Sequence, residues 1–195
     1  MLAAPQHGFV FLAASKAGST SVQRALRPYA HLEIRTPPSD KHMPPRRFEA
    51  EVAPRLADDG YPRDRYETIA MVRHPLELVA SWWRYRSRPD LDGQARSTAD
   101  LTLDEYAEQV IAGEGGFTRP SVWLADDAGA VLVDRLWKYD HIDGLLTWVG
   151  DRVGTALELR RLNQSPERPA ELDPDVRRRL EDFFAAELAI YAAAE

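Results

Sequence analysis

The chain contains no cysteine, which excludes a disulfide framework, a thiolate metal site and a cysteine nucleophile. Long apolar runs are also missing. No stretch approaches the roughly 18 to 20 residues that a membrane helix requires. Residues 9–14 are too short for the hydrophobic segment of a secretory signal, and only His7 offers positive charge ahead of them. A cytoplasmic protein without a membrane partner is therefore expected. Net positive charge is absent as well: the formal charge is -6, so the basic footprint of a nucleic-acid binder is not expected. Lysine is scarce too. Of 25 lysines and arginines only Lys16, Lys41 and Lys138 are lysine, which makes each worth inspecting.

What is present is ordinary globular material. With 44% hydrophobic and 29% charged residues, the 195-residue chain reads as one domain spanning 1–195. Its most informative stretch is residues 9–26, FVFLAASKAGSTSVQRAL. A short apolar run suited to a buried strand is followed by a small polar loop, and then Val22, Ala25 and Leu26 fall at helical spacing. Strand, tight loop and helix make an anion site, because the first helical N–H groups lack partners and carry the positive end of the dipole. Lys16, Gly18 and the hydroxyls of Ser19, Thr20 and Ser21 strengthen it.

Further along, residues 31–34 read as a weak second strand, and the four prolines of 35–45 are expected to forbid regular helix there. Residues 46–56 read as one amphipathic helix. Residues 68–72 form a continuous apolar strand, of the kind a parallel sheet buries on both faces, and Pro75 opens a helix to about Tyr85. Residues 86–99 read as an exposed loop. Thr102 and Glu105 form a capping box for a helix to Ile111. A short helix is expected over 121–124, extended chain over 130–133, a strand over 135–139, and a helix from His141 stopped by Gly150. Residues 157–162 read as extended, and a last helix starts at Pro174 after Asp173. The alternation predicts an α/β three-layer sandwich, with a central parallel sheet of about four or five strands flanked by helices.

The loop departs from the Walker A pattern, since Lys16 precedes Gly18 by two positions instead of following a glycine. Ser15-Lys16-Ala17-Gly18-Ser19-Thr20-Ser21 instead resembles the 5′-phosphosulfate loop of sulfotransferases that use 3′-phosphoadenosine 5′-phosphosulfate (PAPS), commonly Pro-Lys-Thr-Gly-Thr-Thr-Ser. Lys16, Gly18, Thr20 and Ser21 match; Ser15, Ala17 and Ser19 depart. Residues 72–83, VRHPLELVASWW, are similar to that family's 3′-phosphate element, with Arg73 at a strand end, Ser81 eight residues later and an aromatic at Trp83. Residues 136–140 resemble the family's late strand ending in an aromatic and an acid, with Asp140 in place of the usual glutamate. Residues 161–165 are similar to an Asn-x-Ser element before its last helix. The similarity spans nearly the whole chain, although only the two cofactor motifs are specific.

The resemblance implies a P-loop NTPase-like fold and transfer of a sulfuryl group from PAPS to a hydroxyl of a small-molecule or carbohydrate acceptor. Adenosine 3′,5′-bisphosphate would be the product, and no metal would be needed. Lys16 would stabilise the leaving oxygen. Ala17, Gly18, Ser19, Thr20 and Ser21 would hold the phosphosulfate, and Arg73 and Ser81 the 3′-phosphate. A strand-end arginine faces the ligand-binding edge of an open sheet, and the 1.5 Å helical rise brings Ser81 within its reach. His42, in a Lys-His pair, is the candidate base because its ordinary pKa lies near neutrality. Asp40 and Glu33 are the reserves, while His74 and His141 read as helix-start residues. Arg46-Arg47 and Arg84, Arg86 and Arg88 read as solvated helix ends that could also close over a nucleotide. Trp82, Trp123, Trp137 and Trp148 read as core or as lining of an acceptor pocket. The alternatives are a P-loop nucleotide-dependent kinase and a non-catalytic nucleotide-binding protein.

Overall fold

The computed structural model of the protein describes residues 1–159 and 168–195. Its centre is a five-stranded sheet of β1 (Leu2–Ala4), β2 (Phe9–Leu12), β3 (Leu32–Glu33), β4 (Glu67–Val72) and β5 (Arg135–Lys138), in the order β3-β1-β2-β4-β5. β2, β4 and β5 are parallel, but β1 runs antiparallel to both its neighbours. The sheet is therefore mixed, which corrects the expectation of a parallel one. The unforeseen strand is β1. Leu-Ala-Ala carries little strand propensity, and alanine is depleted in strands. Complete burial and pairing with β2 through the turn at Gly8, where φ is 77°, determine its structure instead.

Ten α-helices lie among the described residues. They are α1 (Ser19–Leu26), α2 (Pro38–Lys41), α3 (Pro45–Glu51), α4 (Ala53–Asp58), α5 (Pro75–Arg86), α6 (Leu103–Ile111), α7 (Pro120–Leu124), α8 (Ile142–Val153), α9 (Pro174–Phe183) and α10 (Ala185–Ala193). Strand alternation sorts the core into two faces. Val10, Leu12, Ala70 and Val72 pack with Phe48, Leu56, Leu124 and Ile190. Phe9, Phe11, Ile69 and Met71 pack with Val22, Leu26, Leu145 and Val149. A third cluster joins α5, α6 and α9 through Val79, Trp83, Tyr106, Leu180 and Phe184. No helix among the described residues is long and apolar enough to cross a membrane.

Several boundaries differ from expectation for identifiable reasons. Despite the prolines, α2 forms one turn, because Pro38 occupies a first-turn position where its missing N–H costs nothing. The helix expected over 46–56 divides at Val52, next to Pro54, which cannot donate to a preceding turn. α8 continues past Gly150 to Val153 and stops at Gly154, φ 74°. Gly150 is instead a close-approach position, where an added Cβ would lie 3.0 Å from the Thr155 carbonyl oxygen. The last helix divides at Phe184 into α9 and α10. The capping box of Thr102 and Glu105 is present. Residues 130–133 form no strand, although Val131 bridges Ala125. Residues 157–159 have no regular structure, and the rest of that expected segment, with 161–165, lies outside the described residues.

Candidate functional site

Strand register assembles the site. Leu12 pairs with Ala70 and Ala70 with Leu136. Three residues beyond each member of that row are Ser15, Arg73 and Tyr139, so all three leave the sheet at one edge. This is the carboxyl edge, where open α/β sheets take ligands. The chain after β2 turns tightly into α1. Lys16, at φ 61°, is the one non-glycine residue of positive φ among the described residues, and Gly18 caps α1 at φ 70°. A left-handed conformation costs a side-chain-bearing residue about 1–2 kcal/mol. The loop therefore stores a little strain at its lysine, as functional sites do.

Gly18 is required by packing too. A Cβ there would lie 2.7 Å from Cε2 of Tyr139. Ala17, Ser19 and Ser21 are buried, so the loop is packed against the sheet. The N-cap residue of α1, Gly18, has no side chain to cap the helix. The N–H groups of Ser21 and Val22 turn back to the Gly18 carbonyl, while those of Ser19 and Thr20, first in the helix, have no intrahelical acceptor.

The Lys16 ammonium lies 4.3 Å from the ring centroid of Tyr85 and 5.6 Å from that of Trp82, both on α5. Burial, followed by the positive charges of Arg73, Arg88 and Arg86, lowers its pKa to about 8. The Arg73 guanidinium lies 4.0 Å over the Tyr139 ring, and its Nε is buried without a hydrogen-bond partner among the described residues. Tyr139 thus touches both the Gly18 turn and Arg73. Ser81 is buried one helical turn before Tyr85, on the same face of α5. Arg86 is no solvated helix end: it is 6% exposed and donates to the Tyr106 hydroxyl and to the carbonyls of Gly115 and Gly116. With Thr98 also buried, segment 86–99 is anchored at both ends.

His42 ends α2 beside the same edge. Its Nδ1 donates to the Ala13 carbonyl at 2.6 Å, which leaves Nε2 as the acceptor nitrogen. Burial lowers its pKa and the hydrogen bond to Ala13 partly offsets this, so the neutral ring is favoured. The preceding Lys41 reaches α1, donating from Nζ to Thr20 Oγ1 at 2.8 Å. The indole of Trp123 on α7 donates to the His42 carbonyl. The reserve bases are engaged elsewhere. Asp40 accepts from Arg47 at 2.7 Å, a bond that holds its carboxyl below the usual range, and Glu33 accepts from Arg27.

Other singled-out residues fall outside this cluster. Arg46 pairs with Asp127, Arg47 with Asp40 and Glu51, and Arg84 donates to the Arg168 carbonyl. His74 and His141 occupy the N-cap positions of α5 and α8. Trp137 and Trp148 pack together in the core between β5 and α8. A groove along α8, lined by Leu146, Thr147, Gly150 and Leu157, shares no residue with the cationic edge. No group of His, Asp and Glu among the described residues has metal-binding geometry. The residues missed from sequence are Tyr85, Tyr139 and the ammonium of Lys41. Tyr139 left a signal as the aromatic at the end of a strand aligned with β4, and Lys41 left one as a scarce lysine beside His42, whereas Tyr85 left none. Compared with family models, with curated proteins and with solved structures, the chain gives no match.

Proposed function

We propose that the chain is a cytoplasmic PAPS-dependent sulfotransferase with a P-loop-like nucleotide site, acting on a hydroxyl of a small-molecule or carbohydrate acceptor. The observation that carries this reading is the meeting of Lys16 and Arg73 at one sheet edge, with Arg73 Nε buried and unpartnered among the described residues. An unsatisfied buried donor beside a second cation suits a ligand with two separated anionic ends. PAPS has such ends in its 3′-phosphate and 5′-phosphosulfate.

The donor supplies an activated sulfur–oxygen bond, and the protein supplies position and charge. Arg73 and Ser81 hold the 3′-phosphate. The backbone and hydroxyls from Ala17 to Ser21, with the start of α1 behind them, hold the 5′ end. His42 Nε2 takes the acceptor hydroxyl proton as that oxygen bonds to sulfur. The electron pair of the breaking bond stays on the 5′-phosphate oxygen, whose growing charge the Lys16 ammonium offsets. Lys41, held at Thr20, supplies a second ammonium beside the transferring group.

Isothermal titration tests the reading. Adenosine 3′,5′-bisphosphate should bind more tightly than ATP with magnesium. Preference for ATP would overturn it in favour of a kinase.

A further inference from the structure

The Lys16 ammonium has an unusual setting for a half-buried cation. Among the described residues, the charges acting on it come from Arg73 at the end of β4 and from Arg86 and Arg88 on and after α5, and all are positive. Its close neighbours are ring faces. Trp82 and Tyr85 stand one turn apart on α5, their rings edge to face at 5.7 Å. Both are held from outside. Trp82 stacks on Phe117 at 5.9 Å with the guanidinium of Arg86 at 5.0 Å, and Arg88 lies 4.6 Å from the Tyr85 centroid. Arg86 is in turn fixed by the Gly115 and Gly116 carbonyls.

We infer that Tyr85, backed by Trp82, is a positioning residue for Lys16, its ring face holding the ammonium where a carboxylate counter-ion would otherwise stand. A carboxylate would also fix the lysine, but it would cancel the charge and repel an incoming anion. A ring quadrupole attracts the cation while carrying no net charge. The ammonium is thereby held in place with its charge available. Lys16 itself has a left-handed backbone, and its side chain reaches across the edge to the rings of α5. The catalytic consequence rests on the sulfotransferase reading, whereas the holding of Lys16 does not.

Because the chain has only three lysines, Lys16 can be watched directly. Reductive ¹³C-methylation of the full chain, followed by an NMR pH titration, gives few resonances, and Lys16→Arg identifies the one of interest. Tyr85→Phe should leave its titration unchanged. Tyr85→Leu keeps an apolar side chain beside the ammonium and removes the ring, so proton affinity should fall about two- to fivefold. Tyr85→Glu should raise proton affinity and weaken adenosine 3′,5′-bisphosphate binding. An unchanged or upward titration in Tyr85→Leu would overturn the inference. Under the sulfotransferase reading, the basic limb of transfer should move to lower pH in Tyr85→Leu by the same factor and return in Tyr85→Phe. If the native chain neither binds the bisphosphate nor transfers a sulfuryl group, the functional reading fails, and the lysine titration still decides the role of Tyr85.

Discussion

The imidazole of His42 is tied to the Ala13 carbonyl at 2.6 Å through Nδ1. A carbonyl only accepts, so Nδ1 carries the proton and Nε2 the lone pair. The bond fixes the ring one residue past the end of β2 and three residues before Lys16. His42→Gln should therefore lower transfer by about 10²–10⁴-fold, the usual worth of a positioned general base. Affinity for adenosine 3′,5′-bisphosphate should be unchanged in the same variant. Steady-state rates at saturating acceptor decide the matter, and retained activity there would move the base elsewhere.

Two titrations should bound the pH profile of transfer. Under the sulfotransferase reading the base must be neutral, and burial lowers the His42 pKa, so activity should persist to lower pH than an ordinary histidine would allow and should fall on further acidification. For the proposed transfer Lys16 must be charged, and its pKa is lowered to about 8, so activity should fall as pH rises through that value. The expected profile is a bell whose basic limb is unusually low for a lysine. Lys16→Ala should abolish transfer and leave the circular-dichroism spectrum intact. A basic limb near 10 would show that another group sets it.

Arg73→Ala should weaken adenosine 3′,5′-bisphosphate by about ten- to hundredfold, the range for a lost hydrogen bond to a charged group. The 3′-dephosphorylated analogue should lose much less. Arg73→Lys keeps a charge but gives up the planar contact 4.0 Å over Tyr139 and the paired donors, so it should rescue only part of the affinity. Titration calorimetry with the two nucleotides separates these outcomes. Equal losses for both would remove Arg73 from the 3′-phosphate.

Much of the candidate site is legible in two short stretches, because a loop before a helix and an arginine after a strand are local features. Lys16, Gly18, Thr20, Arg73 and Ser81 are visible that way. Tyr139 and Tyr85 act across the sheet edge, where register and helix phase decide contacts that no local pattern encodes. Arg86 looks like any helix-end arginine until Gly115 and Gly116 turn two carbonyls toward it. The same limit applies to the fold. β4 announces itself by continuous apolar residues, whereas β1 exists because β2 and β3 flank it.

Gly18 tests how far the turn and Arg73 are coupled. Gly18→Ala combines a left-handed backbone with a Cβ placed 2.7 Å from Tyr139. The backbone term alone costs about 1–2 kcal/mol, and the ring beneath Arg73 must also shift. Both stability and bisphosphate affinity should fall. Adding Tyr139→Leu should recover part of the stability, seen in urea midpoints, without restoring affinity. Full recovery of both would show that the ring has no part in placing Arg73.

Away from the site, Glu187 provides a test of the scaffold alone. Its carboxylate is fully buried on α10 and accepts from Arg119 and from the Ser121 hydroxyl, tying α10 to the start of α7. Burial alone would raise its pKa, but the hydrogen bonds from Arg119 and Ser121 outweigh it and hold the carboxyl below its ordinary value. A carboxyl whose folded pKa is lowered contributes stability above its unfolded pKa, and that stability is lost as pH falls through the folded value. Arg119→Ala leaves the charge uncompensated and should cost about 3 kcal/mol at neutral pH, the low end for a broken buried pair because Arg119 itself is partly exposed. The deficit should narrow on acidification, since a protonated Glu187 no longer needs its partner. Chemical denaturation of both proteins at neutral pH and near pH 4 checks this, and a pH-independent deficit would assign the loss to packing of Arg119 against Phe183 instead.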